Sequence, residues 1–182
     1  MKILHLGQMI GGLDIYIRNS IMYIESDFEY VLVRGNRDDS KPIDKKGKKV
    51  VEYGISLYRD LNLYYDLKAI IQAVAIIKKE RPDLIHCHSA KGGVVGRISG
   101  FLTHTNTFYT PHAFSFLSTQ SRLKKKIYLL IERATKLNAW LLACSESERM
   151  MGINLVCYNK KKALVWNNSV PDALNELEKN EI

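Results

Sequence analysis

The chain has 182 residues, enough for one domain with a sizeable core, and its 46% hydrophobic and 25% charged residues exclude a disordered or fibrous chain. A formal charge of +8 favours anionic partners, yet zinc-finger spacing and an RNA-binding aromatic signature are both missing, which argues against nucleic acid. Its apolar runs are too short to span a bilayer and its first residues too interrupted for a secretory signal, so a cytoplasmic protein is expected.

Residues 2–6 read as a strand closed by Gly7, residues 8–12 as a glycine-containing turn, and residues 13–24 as a helix. A second strand is predicted at 28–33. The basic stretch 34–49, with Pro42 and Gly47, reads as a mobile loop, and 50–53 as a weak third strand. Asp66 is expected to cap the clearest helix, where Leu67, Ile70, Ile71, Val74 and Ile77 recur at helical spacing until Pro82 stops it. A buried-type strand follows at 84–88. A short helix at 93–102 carries Gly96 and Gly100 for close packing on a sheet, and the next strand lies at 107–110.

In residues 122–137, Leu123, Ile127, Leu130, Ile131, Ala134 and Leu137 share one helical face, with Lys125, Glu132 and Lys136 on the other. Strands at 140–144 and 163–166, separated by a helix from about Ser145, complete the alternation. Strand and helix in turn, with no tight hairpin signal between strands, predict an α/β, Rossmann-like three-layer domain. Its mostly parallel sheet has about seven strands and the domain spans residues 1–171. The polar, acidic residues 172–182 read as a terminal helix or the start of a linker. Cys87, Cys144 and Cys157 lack a Cys-x-x-Cys spacing and read as reduced, the first two as small hydrophobes in strands.

Ligands of doubly wound sheets bind beyond the carboxyl ends of the strands, so the residues following each strand are the candidates. After the first come Gly7, Gly11 and Gly12, then a helix: a phosphate-binding turn, or simply a tight strand-to-helix connection. After the fourth come His86, Cys87, His88, Ser89, Ala90 and Lys91. His86 and His88 fall on one side of the strand. They suit a buried hydrogen-bonded role for His86 and substrate binding for His88 with Ser89 and Lys91. A metal pair lacks a third ligand at useful spacing. After the fifth strand, Pro111 and His112 place an imidazole where it can donate or accept a hydrogen bond in a cleft.

Five stretches in order, residues 11–17, 81–88, 110–114, 143–148 and 165–172, resemble the N-terminal domain of family 4 glycosyltransferases. The nearest in style are bacterial enzymes of capsular, O-antigen or exopolysaccharide synthesis. The resemblance implies one half of a GT-B fold, in which two Rossmann-like domains face each other across a cleft. The N-terminal half holds the glycan or lipid-linked acceptor, and a C-terminal half, absent here, holds most of a nucleotide sugar. It further implies transfer with retention of anomeric configuration, without a cofactor or an obligatory metal ion. By the same resemblance Gly11 and Gly12 lie near the donor diphosphate and His112 beside the reacting sugar as the catalytic candidate. His88, Ser89 and Lys91 line the acceptor side, Ser145 and Glu146 open a helix at the cleft edge, and Asn168 stands near the passage to the second domain.

Asp14 stands where many relatives carry glutamate and Ser169 where many carry glycine. Relatives also carry two glutamates eight positions apart in the second domain. The residue eight after Glu132 is Trp140 and eight after Glu146 is Asn154, so the chain alone is expected to be inactive. Lys124, Lys125 and Lys126 would suit anionic headgroups in a peripheral membrane contact at the inner face, although a solvated helix face is the simpler account. Two other readings stay open: an epimerase-like enzyme on the same architecture, and a non-catalytic sugar- or partner-binding module.

Overall fold

The computed structural model describes residues 1–35, 42–58 and 62–166. Seven strands form one parallel sheet: β1 (Lys2–Gly7), β2 (Glu29–Gly35), β5 (Val51–Ile55), β6 (Leu84–His88), β7 (Asn106–Thr110), β8 (Trp140–Ala143) and β9 (Ala163–Val165). Their order is β5-β2-β1-β6-β7-β8-β9. β1 is central and its register sets Leu4 beside Ile85 and His5 beside His86. Alternation then sends Leu4, Leu6, Ile85 and Cys87 into one core and His5, His86 and His88 to the opposite face.

The helices connecting the strands are α1 (Gly12–Tyr23), α2 (Leu63–Glu80), α3 (Ser89–Leu102), α4 (Arg122–Thr135) and α5 (Glu146–Asn154). α1 supplies Ile17 and Ile21 to the smaller core with Ile3, Tyr30 and Leu32. α3 lies on the larger core because glycines meet the sheet. A Cβ on Gly96 would stand 2.3 Å from the Cys87 Cβ, and one on Gly92 would stand 2.8 Å from the Gly7 Cα.

Four expectations need correction. α2 begins at Leu63 and is capped by Asn62, whose side chain accepts from the Tyr64 and Tyr65 amides, so Asp66 lies inside its first turn. α3 begins at Ser89, directly on the end of β6, rather than at residue 93. The stretch read as a loop contains an antiparallel ribbon, β3 (Asp44–Lys45) with β4 (Lys48–Lys49). Lys46 and Gly47 turn it with φ of 52° and 76°, the left-handed pair a two-residue hairpin requires.

The fourth correction concerns α4. Its apolar stripe faces outward: Leu123, Ile127 and Leu130 are 68%, 43% and 66% exposed, whereas Glu132 is 1% exposed. Glu132 Oε2 accepts from Arg97 Nη2 at 2.9 Å and its Oε1 from the Tyr109 hydroxyl at 2.9 Å. Arg97 is itself buried, donates to Gly93 O and the Tyr158 hydroxyl, and lies 4.0 Å over the Tyr109 ring. A buried guanidinium left unpaired is far more costly than a few exposed leucines, so the ion pair sets the rotation of the helix.

Candidate active site

The carboxyl edge of the sheet gathers the ends of β1, β6, β7 and β8. β7 ends at Thr110, and after Pro111 both His112 and Ala113 adopt left-handed backbone, with φ of 52° and 79°. Two consecutive non-glycine residues in that region store on the order of 1–3 kcal/mol each. Glu148, 5% exposed, holds the arrangement: its Oε1 accepts from the Ala113 amide at 2.8 Å and its Oε2 from the Cys144 amide at 2.7 Å. One carboxylate from α5 thereby ties the β7 and β8 loops together. Beside them opens a cleft of about 360 Å³, lined by His112, Ala113, Leu117, Cys144, Ser145 and Glu148 among others.

Behind His112 runs a line of imidazoles. His5 Nδ1 lies 3.0 Å from His88 Nε2, His88 Nδ1 lies 3.2 Å from His112 Nε2, and His112 Nδ1 lies 3.6 Å from Cys144 Sγ. His86 joins from the side, its Nε2 2.8 Å from the Thr110 hydroxyl oxygen. Burial lowers His5 and His112 to about 4; His86 and His88 are held well below the ordinary range by burial and then by neighbouring imidazoles. All four are therefore neutral near pH 7. A neutral imidazole has one donor and one acceptor nitrogen, so the tautomer of His5 dictates that of His88, and His88 that of His112. Tyr16 of α1 packs edge-on against His112 with ring centres 4.7 Å apart. Its hydroxyl is pushed up to about 12, by burial first and then by Cys144.

The ring nitrogens of His5, His86 and His88 also lie within 4.8 Å of one another, the one histidine group among the described residues with spacing for a metal ion. The third imidazole arrives from β1, which a reading confined to residues after residue 88 missed. Each nitrogen named above has an internal hydrogen-bond partner, so the geometry is accounted for by the imidazole line itself.

The helix starts differ in their capping. α2, α4 and α5 are capped by side chains of Asn62, Ser121 and Ser145. α1 and α3, at Gly11 and His88, have no side-chain cap. The first-turn acid of α1, Asp14, is ion-paired with Arg18 at 2.7 Å. Gly11 and Gly12 are exposed, with nothing within 4 Å of a Cβ added at either, and Gly11 has φ +61°. A ligand anion can reach the amides of this turn directly, and the helix dipole favours it.

The predicted residues divide accordingly. His112, Ser145, Gly11 and Gly12 lie at the carboxyl edge, with Ser89, half-buried, at the first position of α3. His88 is fully buried and lines no surface; it stands behind His112. Lys91 is ion-paired to Asp66 and turns toward α2, away from the cleft of His112. Asn168 lies outside the described residues. Cys144 is half-buried and faces His112, where the sequence suggested a strand hydrophobe. His5, Tyr16 and Glu148 were not singled out. His5 alone left a signal, an imidazole inside an apolar strand.

A doubly wound parallel sheet with an uncapped glycine turn and a buried-backed imidazole at its carboxyl edge defines a Rossmann-like domain. Residues 10–174 match the family described as Glycosyltransferase Family 4, and the chain belongs to that family. It is 31% identical over 117 residues to the UDP-Gal:alpha-D-GlcNAc-diphosphoundecaprenol alpha-1,3-galactosyltransferase of Escherichia coli, a match covering 63% of this chain and 30% of the relative. It is 26% identical over 163 residues to the capsular polysaccharide biosynthesis glycosyltransferase CapM of Staphylococcus aureus, covering 84% and 42%. Among solved structures, the UDP-N-acetylglucosamine 2-epimerase of Rickettsia bellii superposes with a TM-score of 0.68 at 13% identity, covering 99% of this chain and 48% of that one. That likeness shows the fold alone. Each match spans less than half the length of the relative.

Proposed function

We propose that this chain is the acceptor-side half of a retaining glycosyltransferase that moves a sugar from a nucleotide donor to a glycan acceptor carried on a lipid. The single observation that carries the reading is the uncapped start of α1 at Gly11 and Gly12, on the helix whose Tyr16 packs against His112. That turn suits a diphosphate, and the galactosyltransferase relative, by its name, combines a UDP-sugar with a diphosphoundecaprenol acceptor. His112, neutral and fixed in one tautomer by His88, would exchange the long contact of its Nδ1 with the Cys144 thiol for a hydroxyl of the reacting sugar. Ser89 and Ser145 would line the rim.

A second domain, outside this chain, would complete the donor site and supply the charges that balance the departing diphosphate. On this reading the chain alone turns over no donor, and reaction would occur at the inner face of the membrane. The gene beyond Ile182 offers a direct check: a further domain bearing a spaced glutamate pair supports the transferase, and a stop codon supports a binding module. In the complete protein, His112→Ala should reduce transfer from a UDP-sugar to a diphospholipid glycan at least 100-fold with little loss of stability. Equal losses in both would make His112 a core residue. Conversion of the UDP-sugar without any acceptor would favour the epimerase reading.

A further inference from the structure

We infer that Cys144 and His112 form a binding site for a borderline-soft divalent cation of the zinc class, set in the wall of the cleft. β7 and β8 are parallel neighbours that pair Tyr109 with Leu141, and His112 and Cys144 each lie three residues beyond that pair. Register thus brings the two side chains together at the carboxyl edge, with His112 Nδ1 3.6 Å from Cys144 Sγ. A tetrahedral zinc ion bonds thiolate sulfur at about 2.3 Å and imidazole nitrogen at about 2.0–2.1 Å, which sets those two atoms about 3.6 Å apart. The pair already has the spacing that an ion between them needs.

The surroundings hold it there. The Glu148 carboxylate accepts from the Cys144 amide and from the Ala113 amide next to His112, so one side chain ties both ligand-bearing loops. A metal on Nδ1 leaves the proton of His112 on Nε2, which lies 3.2 Å from His88 Nδ1. His88 accepts there and donates from its own Nε2 to His5 Nδ1 at 3.0 Å. A ligating imidazole is oriented by such a partner on its other ring nitrogen, and here the orienting line is two rings deep. Cys144 and His112 are both half-buried and line the cleft of about 360 Å³, so an ion reaches them from solvent and keeps water at its remaining positions.

Ligand chemistry selects the ion. Thiolate with imidazole takes zinc or cobalt and passes over magnesium and calcium, which demand oxygen. On binding, the S–H bond breaks, the sulfur turns its electron pair to the metal, and the proton leaves to solvent. Structural zinc sites use four protein ligands, so a site with two exchanges its ion readily. Its consequence for activity rests on the function proposed above: the ion takes the Nδ1 that a sugar hydroxyl would take, and acts as a reversible inhibitor.

Titration of the reduced 182-residue chain with Co²⁺, followed by absorption, tests the assignment. The parent should develop a thiolate-to-cobalt charge-transfer band that saturates with a single ion and is bleached by Zn²⁺. Cys144→Ser and His112→Asn should each lose the band and bind Zn²⁺ at least about ten-fold more weakly in calorimetry, with far-ultraviolet circular dichroism unchanged. Asparagine tolerates the left-handed backbone of residue 112. Cys157→Ser, which alters the exposed thiol, should keep both band and affinity. A folded parent that takes up no cobalt would reduce the contact to an S–H···N hydrogen bond and overturn the assignment. So would a band that survives Cys144→Ser, or an ion lost on His5→Phe and kept in Cys144→Ser. Metal binding needs neither donor nor acceptor. In the complete protein, Zn²⁺ should suppress transfer and a chelator should restore it. A cobalt band in a complete protein with no transferase activity would sink the functional reading alone. Transfer by a protein that shows no such band would sink this one alone.

Discussion

Acidification should unfold this protein through its imidazole line. His5 is 4% exposed, and burial lowers it to about 4 from the ordinary imidazole value of 6.5. Between those values the unfolded chain binds the proton and the folded one does not, so stability is complete above 6.5 and falls as the pH drops toward 4. From about pH 7 to about pH 5 this one group removes about 2 kcal/mol. His112, lowered by burial to the same value but half-buried, adds a smaller amount. The rings of His5, His86, His88 and His112 face one another, so the first proton opposes the next and the one-group figure is a floor. Urea unfolding followed by the fluorescence of Trp140 and Trp166 gives the measurement, with an expected fall in midpoint of about 1 M. His5→Phe removes one of the four titrating groups and should reduce the fall by about 2 kcal/mol, leaving the share of His86, His88 and His112. A midpoint that does not move between the two pH values would refute the claim that these histidines are buried neutral, and one that moves equally in His5→Phe would refute the share assigned to His5.

Three further outcomes follow from packing and burial. Gly96→Ala places a methyl 2.3 Å from the Cys87 Cβ and should cost about 1–3 kcal/mol by urea denaturation, while Gly12→Ala, with no neighbour within 4 Å, should change stability by less than about 0.5 kcal/mol. Glu132→Ala leaves Arg97 buried without its anion and should cost about 3–5 kcal/mol in the same assay. A thiol-reactive disulfide reagent should label exposed Cys157 in the native state and reach Cys87, whose thiol burial pushes up to about 12, only on unfolding.

Much of the architecture was written in local pattern. Alternating strand and helix signals set the parallel sheet, because each amphipathic stretch must bury one face and each short apolar run both. The glycines of α3 announced close packing, and the sheet does lie against them. Element starts were less legible. Asn62 and Asp66 are both competent caps, and in the folded chain it is the Asn62 side chain that accepts from the Tyr64 and Tyr65 amides. The ribbon at Lys46 and Gly47 lacks the asparagine–glycine signal, since a lysine there accepts a left-handed conformation.

The candidate site shows where local pattern stops. Periodicity assigned the stripe of α4 to the core because leucines normally point inward. One buried ion pair, between residues 35 apart, reversed it. His88 was placed at the rim because it ends a strand, yet α1 folds over it and leaves only His112 facing the cleft.

The sequence by itself determined which residue types stand at the carboxyl edge of each strand, since hydrophobic period fixes where strands end. Only the tertiary structure decided how those residues share protons and which way α4 faces. The register of β1 on β6 brings His5 to His86 and His88 across about eighty residues of chain, and Arg97 demands its carboxylate wherever the fold has buried it. Both are consequences of distance in space, which no spacing along the chain encodes.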